Sequence, residues 1–137
     1  MISGVARSVG EESHCWISKP LGEQPAALKL CWDKPLKVRE LRLTFDSNLS
    51  REIMPSIGRI VRERQVKGLP EELVRDYAIR AMKNGRIVWE QSVSNNGQRL
   101  RIHTLENVEC DCITVAVSRT HGCENARIFE VRVYEGE

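Results

Sequence analysis

The sequence predicts an all-β protein: an antiparallel jelly-roll β-sandwich of about eight strands with one long, partly helical insertion at about 47–74. Two stretches carry the prediction. In Leu36–Phe45, Leu41, Leu43 and Phe45 share one face while Arg42 and Thr44 share the other. In Ala126–Glu135, Phe129, Val131 and Val133 alternate with Glu130, Arg132 and Tyr134. A period of two describes a strand with one dry and one wet face. The third observation is Asn84-Gly85, set between two further alternating runs. Asn-Gly is the strongest short hairpin signal, because both central residues of the turn need positive φ.

The other strands follow in order. Ala27–Trp32 places Leu28, Leu30 and Trp32 on one face before Lys34-Pro35 interrupts it. Asp76–Met82 groups Tyr77, Ile79 and Ala81, and Arg86–Val93 groups Ile87, Trp89 and Val93. Leu100 and Ile102 mark a short strand after Asn95-Asn96-Gly97, and Ile113, Val115 and Val117 mark another. Short strands separated by turn residues are the sandwich pattern.

Ser47–Val74 breaks this pattern. Ile53, Ile57, Ile60 and Val61 recur at helical spacing, and Pro70 opens a possible helical turn at Glu71–Val74. The segment carries Arg51, Arg59, Arg62, Arg64 and Lys67 against Glu52 and Glu63, which makes it the most basic patch of the chain. A connection of this length inside one domain is unusual and often functional. Arg59, Arg62, Arg64 and Lys67 are therefore candidate docking residues.

Composition narrows the function classes. At 137 residues the chain makes one domain with room for a core. A net charge of +2 with interspersed acids lacks the basic stripe of a nucleic-acid binder. No run approaches the roughly 18 apolar residues of a membrane helix. The N-terminus lacks the apolar stretch of a secretory signal. Five cysteines, an odd number, suit a reducing compartment such as the cytoplasm better than a fully paired disulfide framework.

Catalytic and metal constellations are weak. Cys110-x-Cys112 with His121-x-Cys123 lacks the usual zinc-ligand spacing, so ordinary small cysteines are expected. Cys15 and Cys123 lack a well-spaced base, although His14 and His121 lie nearby in sequence. Neither a catalytic residue nor a metal ligand is assigned. Two polar loops at strand ends offer a better candidate. Asp46, Asn48 and Arg51 follow one strand, and Arg119, His121 and Glu124 precede the last. Carboxylate, amide and guanidinium groups there suit the hydroxyls of a sugar or the polar atoms of a partner chain. Turn formation is the alternative role for Asn48.

A family resemblance rests on the order of motifs. Pro35-Leu36-Lys37-Val38 within the run from Ala27 to Asp46 comes first. Tyr77-Ala78-Ile79-Arg80-Ala81 follows with Asn84-Gly85 and Trp89, and Ala126–Tyr134 closes the chain. This order resembles the discoidin, or coagulation factor type C, family of galactose-binding-like sandwiches. The resemblance implies a non-catalytic binding module, and it brings a calcium site near Glu11 and Glu12 into consideration. The chain departs from sugar-binding relatives in its low aromatic content, 5%, which leaves Trp16 as the spare tryptophan for a ligand loop.

A closer likeness lies in Gly4-Val5-Ala6-Arg7, Trp16-Ile17-Ser18 and Thr44-Phe45-Asp46-Ser47-Asn48-Leu49. These resemble the C-terminal sandwich of certain bacterial FAD-dependent oxidoreductases. That likeness implies a fragment of a larger protein. Its insertion would dock on a flavin domain or a neighbouring subunit, and FAD would belong to that other domain. No G-x-G-x-x-G follows any strand of this chain. The main expectation is thus an accessory docking module, and the alternative is a carbohydrate-binding module.

Overall fold

The computed structural model describes residues 14–48 and 68–137. Six strands form a fully antiparallel sheet: β1 (Trp16–Pro20), β2 (Ala26–Phe45), β3 (Val74–Lys83), β4 (Arg86–Val93), β5 (Leu100–Thr120) and β6 (Asn125–Glu135). The spatial order is β1-β6-β2-β5-β3-β4. The described residues contain strands and turns and no helix.

Two strands are long enough to serve both layers, and this makes the sheet a sandwich. The first half of β2 pairs with the second half of β5, from Ala26↔Val117 to Cys31↔Cys112. The second half of β2 pairs with the start of β5, from Glu40↔Thr104 to Thr44↔Leu100, and with β6 on its other side. The register shifts between Cys31 and Leu36 and again between Val38 and Glu40. On β5 the bend coincides with Glu106 and Asn107, whose φ values are 55° and 63°. One layer is then β4, β3 and half of β5 and β2; the other is β1, β6 and the remaining halves.

The sequence expectation of separate strands at 27–32 and 38–45, and at 100–102 and 113–117, is corrected here. Each pair is one bent strand. Lys34-Pro35 does not end β2. Pro35 sits in the register break, where its missing N–H leaves no ladder position unfilled. β1 is an additional strand, and Trp16 packs on the core rather than standing free for a ligand loop.

The core lies between the layers. Leu41, Leu43, Phe45, Ile128 and Val131 face Tyr77, Ile79, Ala81, Ile113, Val115 and Val117, all buried. Trp32 and Trp89 pack against this cluster, as their strand parity predicts. The wet face of β2 and β6 carries Arg42 paired with Glu40 at 2.5 Å and Arg132 paired with Glu130 at 2.9 Å. The Arg42 guanidinium also stacks over the Tyr134 ring at 4.7 Å. Glu130 is buried all the same, because the register shift between Thr44 and Phe45 makes β6 irregular there.

Alternation breaks in β6, where Ile128 rather than the expected Phe129 joins the core cluster, because Thr44 pairs with Glu130 and Phe45 with Ile128. It breaks in β4 and β5 as well. Ile87 is 54% exposed although Trp89 and Val93 are half-buried. Ala81 pairs with Trp89 and Met82 with Ile87, so Val88 is an extra residue and the strand changes phase. Leu100 and Ile102 also face outward, and His103 and Leu105 are buried in their place.

The hairpin at Asn84-Gly85 forms as predicted, with φ values of 51° and 76°. Asp111 fixes it by accepting the Asn84 N–H at 2.7 Å. Gly85→Ala is expected to cost about 1 kcal/mol, since a Cβ is disfavoured at positive φ. A urea unfolding curve measures this directly.

Candidate functional site

The connections at one end of the sandwich are stitched to one another by backbone hydrogen bonds. These connections are β1–β2, the two described ends of β2–β3, β4–β5 and β5–β6. Leu21 donates its N–H to the Glu124 carbonyl at 2.7 Å, His121 to Leu73 at 3.1 Å and Cys123 to Glu71 at 3.0 Å. Asn96 donates its N–H to Arg75 at 2.8 Å. Gly122 permits the closest of these approaches, because a Cβ there would meet Glu71 Cγ at 2.9 Å. Leu73 closes a turn onto Pro70 at 3.1 Å, and β3 begins at Val74. This turn replaces the helical turn expected at Glu71–Val74.

Asp46 and Asn48 are scaffold before anything else. Asp46 is buried, with Oδ1 accepting the Asn48 N–H at 2.7 Å and Oδ2 facing Arg127 Nη1 at 3.4 Å. The first contact is an Asx turn, and Asn48 stands in it at a φ of 49°. The Asn48 amide donates to Glu72 Oε1 at 2.9 Å. His121 Nε2 bonds the Asn96 carbonyl at 2.7 Å. The two predicted loops are thus brought to the same end, and three of their polar side chains hold that end together. Arg119 and Glu124 are exposed there. Arg51, Arg59, Arg62, Arg64 and Lys67 lie outside the described residues, as do Glu11 and Glu12.

Sequence reasoning missed several members of this rim. Asn96 is 2% exposed, and its amide donates to the Val74 and Gln98 carbonyls at 2.8 and 3.0 Å. Asp76 accepts the Asn95 N–H at 2.8 Å, lies 3.7 Å from Arg75 Nε and stands opposite Arg119 in the ladder. Arg99 donates to Ser47 Oγ at 3.1 Å. Asn95-Asn96-Gly97 was visible as a turn, but which carbonyls an asparagine reaches depends on strand register. The outcome is a polar rim of Arg75 and Asp76 at the start of β3, Arg119 at the end of β5, and Asn95 and Glu124 on the adjoining connections.

A second polar group is centred on buried His103 and Tyr77. His103 bonds Tyr77 Oη at 3.0 Å through Nε2 and Gln91 Oε1 at 2.7 Å through Nδ1. With Gln91 presenting its carbonyl oxygen, Nδ1–H donates and Nε2 accepts the Tyr77 proton. Burial, helped by the nearby Arg101 charge, lowers the imidazole pKa to about 4, so it is neutral at pH 7. Burial likewise pushes Tyr77 up to about 12. The Cys15 thiol is pushed up to about 11 by burial and by Asp46, which leaves little thiolate for nucleophilic attack. Among the described residues no three His, Cys, Asp or Glu side chains converge as metal ligands.

No family model matches this sequence, and no curated protein matches it. Solved structures do. The chain is similar to the family 32 carbohydrate-binding module from Streptococcus pneumoniae EndoD, at 16% identity and a TM-score of 0.65, over 97% of this chain and 81% of that one. It is similar to the family 32 module of C. perfringens NanJ in complex with galactose, at 20% identity and a TM-score of 0.60, over 97% and 80%. A Streptococcus pneumoniae fucose binding module matches at 11% identity and a TM-score of 0.63, over 90% and 73%. Nothing in these comparisons supports the likeness to a flavoprotein C-terminal domain. What they show is the fold: this chain has the β-sandwich fold of carbohydrate-binding modules, the galactose-binding-like architecture that its motif order resembles.

Proposed function

We propose that this domain is a non-catalytic glycan-binding module and that its ligand sits on the polar rim at the loop end. One observation carries the reading. Arg75, Asp76, Asn95, Arg119 and Glu124 present guanidinium, carboxylate and amide groups on the ends of β3 and β5 and on connections joined by backbone hydrogen bonds. Such groups donate to and accept from sugar hydroxyls, and anchoring them on strand ends and hydrogen-bonded connections lowers the entropic cost of binding. The neighbours' ligands, galactose and fucose among them, supply the first sugars to try. The docking role of the basic insertion is a separate proposal, and Arg59, Arg62, Arg64 and Lys67 lie outside the described residues.

Calorimetric titration with galactose, N-acetylgalactosamine and fucose, alongside a glycan array, tests the reading. Saturable binding with a Kd of roughly 10 μM to 5 mM is expected. Arg119→Ala should weaken it about tenfold or more, the loss expected for a charge-assisted hydrogen bond. Its thermal unfolding should be unchanged, since Arg119 is exposed. An array without a hit and flat titrations at high sugar concentration would remove the proposal.

A further inference from the structure

The outer face of the β2–β5 ladder carries a feature that glycan binding does not use. Cys31 and Cys112 are direct cross-strand partners. Their sulfurs lie 2.6 Å apart, inside ordinary thiol contact. Cys31 is exposed and Cys112 is buried. The pair forms the last rung before the register break between Cys31 and Leu36, where β2 bends from one layer to the other. The remaining cysteines are placed elsewhere. Cys110 is in the core opposite Leu36, Cys15 precedes β1, and Cys123 is in the β5–β6 connection.

We propose that Cys31 and Cys112 form a reversible cross-strand disulfide that locks the bend of the sandwich. The oxidant class is a low-molecular-weight disulfide such as oxidised glutathione. The Cys31 thiolate attacks one oxidant sulfur, the oxidant S–S bond breaks and the first small thiolate leaves. Cys112 then loses its proton and attacks the Cys31 sulfur of the mixed disulfide, releasing the second small thiolate. Two protein thiols are oxidised by two electrons, and the oxidant is reduced to two thiols that take up the two protons. The order follows from access. Cys31 meets solvent first, whereas burial and the adjacent Cys31 hold the Cys112 thiol up at about 11, so Cys112 acts as the resolving group at close range.

The test incubates the folded chain in glutathione buffers of rising oxidised fraction, quenches with acid, alkylates the remaining thiols in denaturant and maps peptides without reduction. Alkylatable thiols are expected to fall from five to three, the five cysteines minus the linked pair. A cross-link should join the Cys31 and Cys112 peptides. It should be absent in Cys31→Ser and present in Cys15→Ser and Cys123→Ser. The bridge spans 81 residues of sequence. Oxidation should therefore raise the thermal midpoint by roughly 5–10 °C, through restriction of the unfolded chain. Five thiols still alkylated in the most oxidising buffer would overturn the proposal. So would a glutathione adduct that is never resolved, or a cross-link to a different cysteine.

Discussion

Phe45→Ala is expected to destabilise the domain by about 3–5 kcal/mol, the range for deleting a buried phenylalanine. The side chain is fully buried at the end of β2, and its ring meets Tyr77 edge-on at a centroid distance of 5.1 Å. Its N–H donates to the Arg99 carbonyl at 2.8 Å, which joins β2 to the start of β5. The residue after it is Asp46, whose Asx turn helps hold the same end of the sandwich together. The cavity would therefore open against Tyr77, the neighbour of Asp76 in β3, and sugar affinity should fall together with stability. Arg42→Ala, on the opposite face of the same strand, should stay within about 1 kcal/mol, because its ion pair with Glu40 is partly exposed. Urea midpoints of the two variants make the comparison. Equal costs would mean that the dry face of β2 is not the packed one.

The second large effect is on pH. His103 has a folded pKa near 4 against an ordinary 6.5. Between those values the unfolded chain binds a proton that the folded chain refuses. The stabilisation is therefore complete above about pH 6.5 and is lost as pH falls toward 4. The expected loss is about 2 kcal/mol, discounted from the full shift because Gln91, the partner of Nδ1, is exposed. Protonation would turn Nε2 into a donor facing the Tyr77 hydroxyl that now donates to it. Unfolding free energies between pH 6.5 and 5 isolate this group from most carboxylates. His103→Gln should flatten the slope in that window. Equal slopes in the two proteins would assign the pH dependence to other groups.

The layers of this sandwich were legible where alternation was strict. Leu41, Leu43 and Phe45, and Tyr77, Ile79 and Ala81, lie where a period of two places them. The Asn84-Gly85 hairpin was legible because turn geometry is local. The bends were not. Pro35 reads as a strand end, yet a register break accommodates it and β2 continues. His103 was hidden because Leu100 and Ile102 look like the inward face, although they are about half exposed.

The candidate rim was half legible. Asp46, Asn48, His121 and Glu124 were recognisable as loop residues, whereas Arg119, expected in the loop, is a residue of β5; the fold brings all five to one end. Their division of labour was not recognisable. Asp46 and His121 are held by Arg127 and by the Asn96 carbonyl, and both contacts depend on pairing far along the chain. Asp76 and Asn95 read as a strand residue and a turn residue. They meet only because β3 and β4 are neighbours.

On the proposed function, sugar binds the polar rim at the loop end. Amide chemical shifts of the labelled domain, followed while galactose or fucose is added, test it most directly. Saturable shifts are expected, confined to 46–48, 71–76, 94–99 and 119–125, with the Asn84-Gly85 end unmoved. Shifts that saturate at the opposite end, or no shifts with any sugar that binds on an array, would contradict it.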